Sequence, residues 1–89
     1  MAQPDKIKKT IAEIAQRRKN VTLSEIEWVV NQLKEFYEVQ VRTNDHATLF
    51  RIDQYRFNVC SHNPGEKQIK AIYVDTFLDV MSELGWYEE

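Results

Sequence analysis

The sequence contains little cysteine, glycine or proline, and it has no long hydrophobic run. Its single cysteine, Cys60, has no second cysteine to pair with inside the chain, which excludes an internal disulfide framework and fits a reducing compartment. Two glycines and two prolines among 89 residues exclude a low-complexity chain. No apolar run approaches membrane-spanning length, and the N-terminus lacks the apolar core of a signal peptide. We therefore expect a cytoplasmic protein without a membrane segment.

The charge is small in sum but uneven along the chain. A net charge of −2 over 89 residues argues against a uniformly basic nucleic-acid binder. Residues 1–23 nevertheless carry six Lys/Arg against two Asp/Glu, and residues 41–70 carry five against three. The acidic excess lies in residues 24–40 and 71–89. An anionic partner can therefore be met on one side of the molecule.

Three segments have apolar residues at helical spacing. The first helix is predicted to start at Pro4-Asp5. The second starts at Ser24, which has capping-box spacing to Glu27, and the third starts near Lys70 and stops at Gly85, with Trp86 folding back on it. The predicted apolar stripes are Ile7, Ile11, Ile14 and Ala15, then Ile26, Val29, Val30, Leu33 and Phe36, and finally Val74, Phe77, Leu78, Met81 and Leu84. Arg17-Arg18-Lys19 ends the first helix, either as a solvated terminus or as a phosphate-binding patch.

Between the second and third helices the apolar period changes to two, which is typical of strands. Strands are predicted over residues 37–43, 46–52 and 55–60. If both connections are two-residue hairpins, Thr43 pairs with His46 and Ile52 pairs with Tyr55. The inner face then carries Tyr37, Val39, Val41, Thr48, Phe50, Ile52, Tyr55, Phe57 and Val59, and the outer face carries Arg42, Arg51, Arg56 and Asn58. A one-residue slip would exchange the two faces.

These patterns predict a two-layer α+β domain, with a three-stranded antiparallel sheet and helices on one face. The predicted order is helix, helix, three strands and helix, with no repeat and no linker between them. Eighty-nine residues allow one core only.

Few residues are suited to catalysis. His46 begins the second strand and His62 stands at the end of the third, so both are expected at the same end of a meander, although the register given above places them on opposite faces. Each is also compatible with a purely structural role. Cys60 and His62 are too few for a closed zinc site, and the chain has no phosphate-binding glycine loop. We expect neither a metal nor a small-molecule cofactor.

The order of motifs resembles the HicA family of small toxins over about residues 22–87. The similarity rests on the helix from Ser24, the strand over residues 37–43, the turn Asn44-Asp45-His46, and residues 62–70 leading into a helix that ends at residues 84–86. The resemblance implies an α-β-β-β-α domain over residues 22–89, similar in fold to double-stranded-RNA-binding domains, with residues 1–21 as the helical extension found in some longer members. It also implies an mRNA-cleaving endoribonuclease and a HicB-like antitoxin as partner. The family's signature is a Gly-Ser-His turn with a catalytic histidine. Here His46 matches, whereas Asn44 and Asp45 replace the glycine and the serine.

Two hypotheses follow. In the first, the chain cleaves mRNA without a metal: His46 is the base, His62 is a candidate acid, and phosphates are bound by Lys67, Lys70, Arg51 and Arg42. In the second, the same fold is a catalytically inactive module that binds RNA or a protein partner.

Overall fold

The computed structural model describes residues 3–43, 47–60 and 69–87. The elements in these ranges are α1 (Pro4–Gln16), α2 (Leu23–Leu33), β1 (Val39–Thr43), β2 (Ala47–Ile52), β3 (Tyr55–Cys60) and α3 (Ala71–Glu83). The strands form one antiparallel sheet in the order β1-β2-β3. The predicted α+β fold with a three-stranded antiparallel meander is confirmed. None of the helices in these ranges is long and apolar enough to cross a membrane.

A single hydrophobic core connects the three helices to the inner face of the sheet. α1 packs against α2 and α3, and α3 packs along β3. The rings of Phe57 on β3 and Phe77 on α3 meet edge to face, with centroids 5.8 Å apart. The predicted stripes of α1, α2 and α3 supply most of the core, which contains Ile7, Ile11, Ile14, Ile26, Val29, Val30, Leu33, Val74, Phe77, Leu78 and Met81. Because α1 contributes three fully buried isoleucines, it is an integral part of this core.

The start of α2 differs from the prediction. Its N-cap is Thr22, whose hydroxyl accepts a hydrogen bond from the Glu25 backbone N–H at 3.4 Å. Ser24 therefore lies inside the first turn and is exposed. Two overlapping pairs have capping-box spacing, Thr22 with Glu25 and Ser24 with Glu27, and spacing alone does not choose between them. The earlier pair also places Glu25 beside Arg17, with 2.8 Å between their nearest side-chain atoms.

The end of α2 and the start of β1 are also corrected. α2 ends at Leu33, and β1 begins at Val39, two residues later than predicted. The backbone N–H groups of Phe36 and Tyr37 both donate to the Leu33 carbonyl, which turns the chain before the strand starts. Phe36 is consequently 45 % exposed instead of belonging to the buried stripe of α2.

The register is right for one hairpin and shifted for the other. Ile52 pairs with Tyr55, as predicted. Thr43 pairs with Thr48, so the predicted pairing of Thr43 with His46 and its two-residue turn are wrong. The shift is two residues, which leaves every side chain on its predicted face because the side-chain period of a strand is also two.

β1 lies partly outside the cover of the helices. Phe50, Ile52, Phe57 and Val59 on the inner face of β2 and β3 are buried. Val41 on the same face of β1 is 40 % exposed. The inner-face assignment is therefore correct, but burial decreases toward the β1 edge.

The end of α3 matches the prediction. Gly85 has φ of +86°, and its N–H donates to the Ser82 carbonyl while the Trp86 N–H donates to the Met81 carbonyl. These two bonds define a Schellman cap, which requires a left-handed residue at the Gly85 position. The Trp86 ring lies 5.4 Å from the Phe36 ring, and its Nε1–H donates to the Tyr37 hydroxyl at 3.0 Å. The cap thus connects the end of α3 to the α2–β1 connection.

Candidate nucleic-acid interface

The outer face of the sheet is an exposed surface that carries three arginines. It is formed by Gln40, Arg42, Leu49, Arg51, Arg56 and Asn58, all of which are exposed. The predicted outer-face residues Arg42, Arg51, Arg56 and Asn58 are all on it, as their register with β2 requires. An open depression of about 440 Å³ lies over these residues. Three guanidinium groups therefore share one side of the molecule.

The strand register orders this face into two rows. Gln40, Arg51 and Arg56 lie opposite one another in the first row, and Arg42, Leu49 and Asn58 form the second. Like charges directly opposite each other on neighbouring strands destabilise a sheet. Folding alone therefore does not favour the pairing of Arg51 with Arg56, and a bound anion would relieve their repulsion.

The three outer-face arginines have no ion pair with a described residue. The Nε–H of Arg51 donates to the backbone carbonyl of Asp53 at 3.2 Å, a bond that leaves its positive charge uncompensated. Glu38 and Asp53 lie beside Arg51 and away from Arg42, so these carboxylates lower the positive potential around Arg51 more than around Arg42. An incoming phosphate can be bound by these groups without first breaking a salt bridge.

Two arginines of the basic triplet at the end of α1 do have carboxylate partners. Arg17 contacts Glu25 at 2.8 Å, and Arg18 contacts Asp75 at 3.1 Å. The hydrogen bond and the charge of Glu25 raise the pKa of Arg17. Compared with the outer face, this patch is partly neutralised, which favours the solvated-terminus interpretation of the triplet.

One end of the sheet brings together chain positions next to the predicted catalytic residues. Ala47, which follows His46 in the sequence, pairs with Cys60, which precedes His62 by two residues. His46, His62 and Lys67 themselves lie outside the described residues, so their roles stay predictions.

Lys70 lies at this same end but in the helical layer. It is the exposed N-cap residue of α3. The side chains of Tyr73, in the first turn of α3, and Cys60, at the end of β3, interact, and this interaction together with burial raises the pKa of Tyr73. Arg42 and Arg51 are therefore brought together on the outer face, whereas Lys70 is reached from them only around the end of the sheet.

The thiol of Cys60 is already engaged within the fold. It is half-buried, it accepts a hydrogen bond from Asn58 Nδ2 at 3.4 Å, and it contacts Tyr73. In the described ranges no three His, Cys, Asp or Glu side chains group closely enough to hold a metal ion. The chemistry of the described site is therefore that of cations and hydrogen-bond donors.

Gln40, Leu49, Arg56 and Asn58 belong to this surface but were not among the predicted binding residues, and Arg56 and Leu49 are the two that add a charge and an apolar contact. Arg56 was assigned to the outer face but not to phosphate binding, and Leu49, which is 45 % exposed, was not considered. The alternation of the strands was the signal for both, because it places Leu49 and Arg56 on the same face as Arg42 and Arg51.

Comparison of the chain with known proteins gave no match to a family model, to a curated protein or to a solved structure. The functional assignment therefore depends on the residues and the geometry described above.

Proposed function

We propose that this chain is a HicA-type toxin, a cytoplasmic RNA-binding protein that cleaves mRNA without a metal and is inhibited by a HicB-like antitoxin. The observation that carries the proposal is the outer face, where Arg42, Arg51 and Arg56 are exposed and lack carboxylate partners in the described ranges. The order of elements from α2 to α3 is the α-β-β-β-α order that the resemblance implies, which also supports the proposal.

The charge distribution supports an approach of RNA from the sheet side. The exposed carboxylates of α3, Asp75, Asp79 and Glu83, belong to the helical layer, which lies against the inner face. A polyanion is repelled from those carboxylates and attracted to the arginines. Guanidinium groups bind phosphate through two parallel N–H donors, and exposed Leu49 offers an apolar contact for a sugar or a base.

The proposed reaction uses the nucleophile that RNA itself supplies. His46 removes the proton from a 2′-hydroxyl, the 2′-oxygen attacks the adjacent phosphorus, and the bond from phosphorus to the 5′-oxygen breaks. His62 donates a proton to the departing 5′-oxygen, and the products are a 2′,3′-cyclic phosphate and a free 5′-hydroxyl. The pairing of Ala47 with Cys60 supports the use of both histidines in one site, because these residues are close to His46 and His62 in the chain. Lys67 and Lys70 would stabilise the charge that builds on the phosphate.

The binding part of the proposal is tested by the salt dependence of RNA affinity. Replacing Arg42, Arg51 and Arg56 with glutamine should lower the slope of log K against log salt by about 2 for single-stranded RNA, because each lost phosphate contact contributes about 0.7. The matched control replaces Arg17, Arg18 and Lys19 with glutamine, which changes the net charge equally and should leave the slope unchanged. Fluorescence anisotropy with a labelled RNA measures both. A decrease in the slope of log K against log salt in the control variant alone would exclude the outer face as the RNA site.

The catalytic part is tested with His46→Ala. This variant should abolish growth inhibition and RNA cleavage, whereas its RNA affinity should stay within about twofold of the parent protein. The parent protein should form a 2′,3′-cyclic phosphate in the presence of a chelator and should fail on RNA with a 2′-deoxy group at the cleaved position. Co-expression with a HicB-like protein should restore growth. RNA binding without cleavage by the parent protein would instead favour the inactive binding module.

A further inference from the structure

The hydrogen-bond pattern of β1 shows which of its backbone groups face away from the sheet. The Asp53 N–H donates to the Glu38 carbonyl at 2.9 Å, which makes these two residues a hydrogen-bonded pair next to the pair of Val39 with Ile52. Hydrogen-bonded and non-hydrogen-bonded pairs alternate along an antiparallel ladder. Gln40 and Arg42 therefore direct their N–H and C=O groups toward β2, and Val39, Val41 and Thr43 direct theirs toward the opposite edge.

Within the described residues, that edge lacks most of the features that protect an edge strand, although β1 is short and carries one charged residue, Arg42, on its outer face. In the described ranges no strand pairs with it, since β1 is the outer strand of the sheet. β1 contains no proline, no glycine and no charged residue on its inner face. Val41 is 40 % exposed on that face. An open and partly apolar edge of this kind is a template for pairing with another strand.

We propose that β1 pairs with β1 of a second copy of this chain, antiparallel about a two-fold axis at Val41, to form a continuous six-stranded sheet. The strand is self-complementary in this register. Val41 lies opposite Val41 of the second copy, Val39 lies opposite Thr43, and Gln40 lies opposite Arg42. No like charges are directly opposite each other, and the three outward-directed residues of each copy meet in hydrogen-bonded pairs.

This register also favours β1 of a second copy as the strand that pairs with the open edge. The β-branched residues Val39, Val41 and Thr43 alternate on the inner face, so each meets a β-branched residue of the other copy and the exposed side of Val41 becomes covered. A five-residue strand pair is a small interface, so the dimer is weak and depends on concentration. In the dimer the outer faces of the two copies become contiguous. This inference does not depend on the proposed function, because it concerns self-association without RNA.

The test uses the direction of the Val41 N–H. Because this group points away from β2, Val41→Pro removes a donor at the dimer edge without removing a hydrogen bond of the β1–β2 ladder. Val41→Thr keeps the N–H and is the matched control. Sedimentation equilibrium between about 10 µM and 1 mM should show a monomer–dimer equilibrium for the parent protein and for Val41→Thr. The dimer should weaken at least about tenfold in Val41→Pro. A parent protein that stays monomeric throughout this range would overturn the proposal.

A second measurement does not rely on proline. In a Cys60→Ser background, Val41→Cys places two thiols opposite each other with Cα atoms about 5.5 Å apart, within the range of a disulfide. Gln40→Cys is the control, because Gln40 lies opposite Arg42 of the second copy and not opposite itself. Oxidation should give a covalent dimer of Val41→Cys several times faster than of Gln40→Cys. Equal rates for the two variants would show that Val41 is not at the axis.

Discussion

Thr22 and Ser24 are two residues apart, and both have a glutamate three positions later, yet only one can cap α2. Thr22 accepts the Glu25 N–H, whereas Ser24 is exposed within the first turn. We predict that Thr22→Ala lowers the free energy of unfolding by about 1 kcal/mol, because a helix N–H loses its partner. Ser24→Ala should change it by less than about 0.5 kcal/mol. Urea denaturation of both variants measures the two losses. A larger loss for Ser24→Ala than for Thr22→Ala would indicate that Ser24 is the N-cap.

The arginines show what sequence can and cannot predict at the residue scale. The alternation of β2 and β3 placed Arg51 and Arg56 on the outer face correctly, because side-chain direction in a strand follows from its period. It did not identify the partners of Arg17 and Arg18, which are eight residues away at Glu25 and much further along the chain at Asp75. Local patterns predict the direction of a side chain, whereas long-range packing decides whether its charge is neutralised.

At the scale of elements, the pairing at the β1–β2 connection could not be predicted fully from the apolar pattern. A one-residue error in register would have exchanged the faces and buried the arginines, and the observed pairing excludes it. The observed pairing of Thr43 with Thr48 differs from the predicted pairing by two residues, which leaves the pattern intact. The length of the connection was therefore not predictable from alternation.

The C-terminal cap of α3 was predictable, because a left-handed residue after an apolar helix has few chemical solutions. Gly85 has φ of +86°, and a Cβ at this position would meet no heavy atom within 4 Å. We predict that Gly85→Ala lowers the free energy of unfolding by about 1 kcal/mol through backbone strain alone, without a steric clash. Gly85→Asn should lower it less, because asparagine tolerates this conformation. Thermal unfolding of both variants measures the two losses in stability. Equal losses would mean that the tolerance of asparagine for a left-handed backbone gives no benefit, which would contradict backbone strain as the cause.

At the scale of the whole molecule, α1 is the element whose role is easiest to misjudge. The resemblance to the HicA family implied a helical extension over residues 1–21, within a single globular unit. Ile7, Ile11 and Ile14 are nevertheless fully buried in the same core as the sheet and α3. The Val21 carbonyl also accepts a hydrogen bond from the Ile69 N–H at 2.8 Å, which ties the end of this segment to the residues before α3. We therefore expect α1 to unfold together with the rest of the chain as one cooperative unit.

Ile11→Ala tests whether α1 unfolds together with the rest of the chain. The substitution removes a fully buried side chain between α1 and the other helices, so it should lower the free energy of unfolding of the whole chain by about 3 kcal/mol. In a Trp28→Phe background, fluorescence reports Trp86 near the end of α3, and circular dichroism reports the helices together. Both transitions should shift to the same lower urea concentration, as a two-state domain requires. Lys8→Ala, at an exposed position of α1, is the control and should shift neither. If Ile11→Ala reduced helical signal while the Trp86 transition kept its midpoint, α1 would be a separable extension.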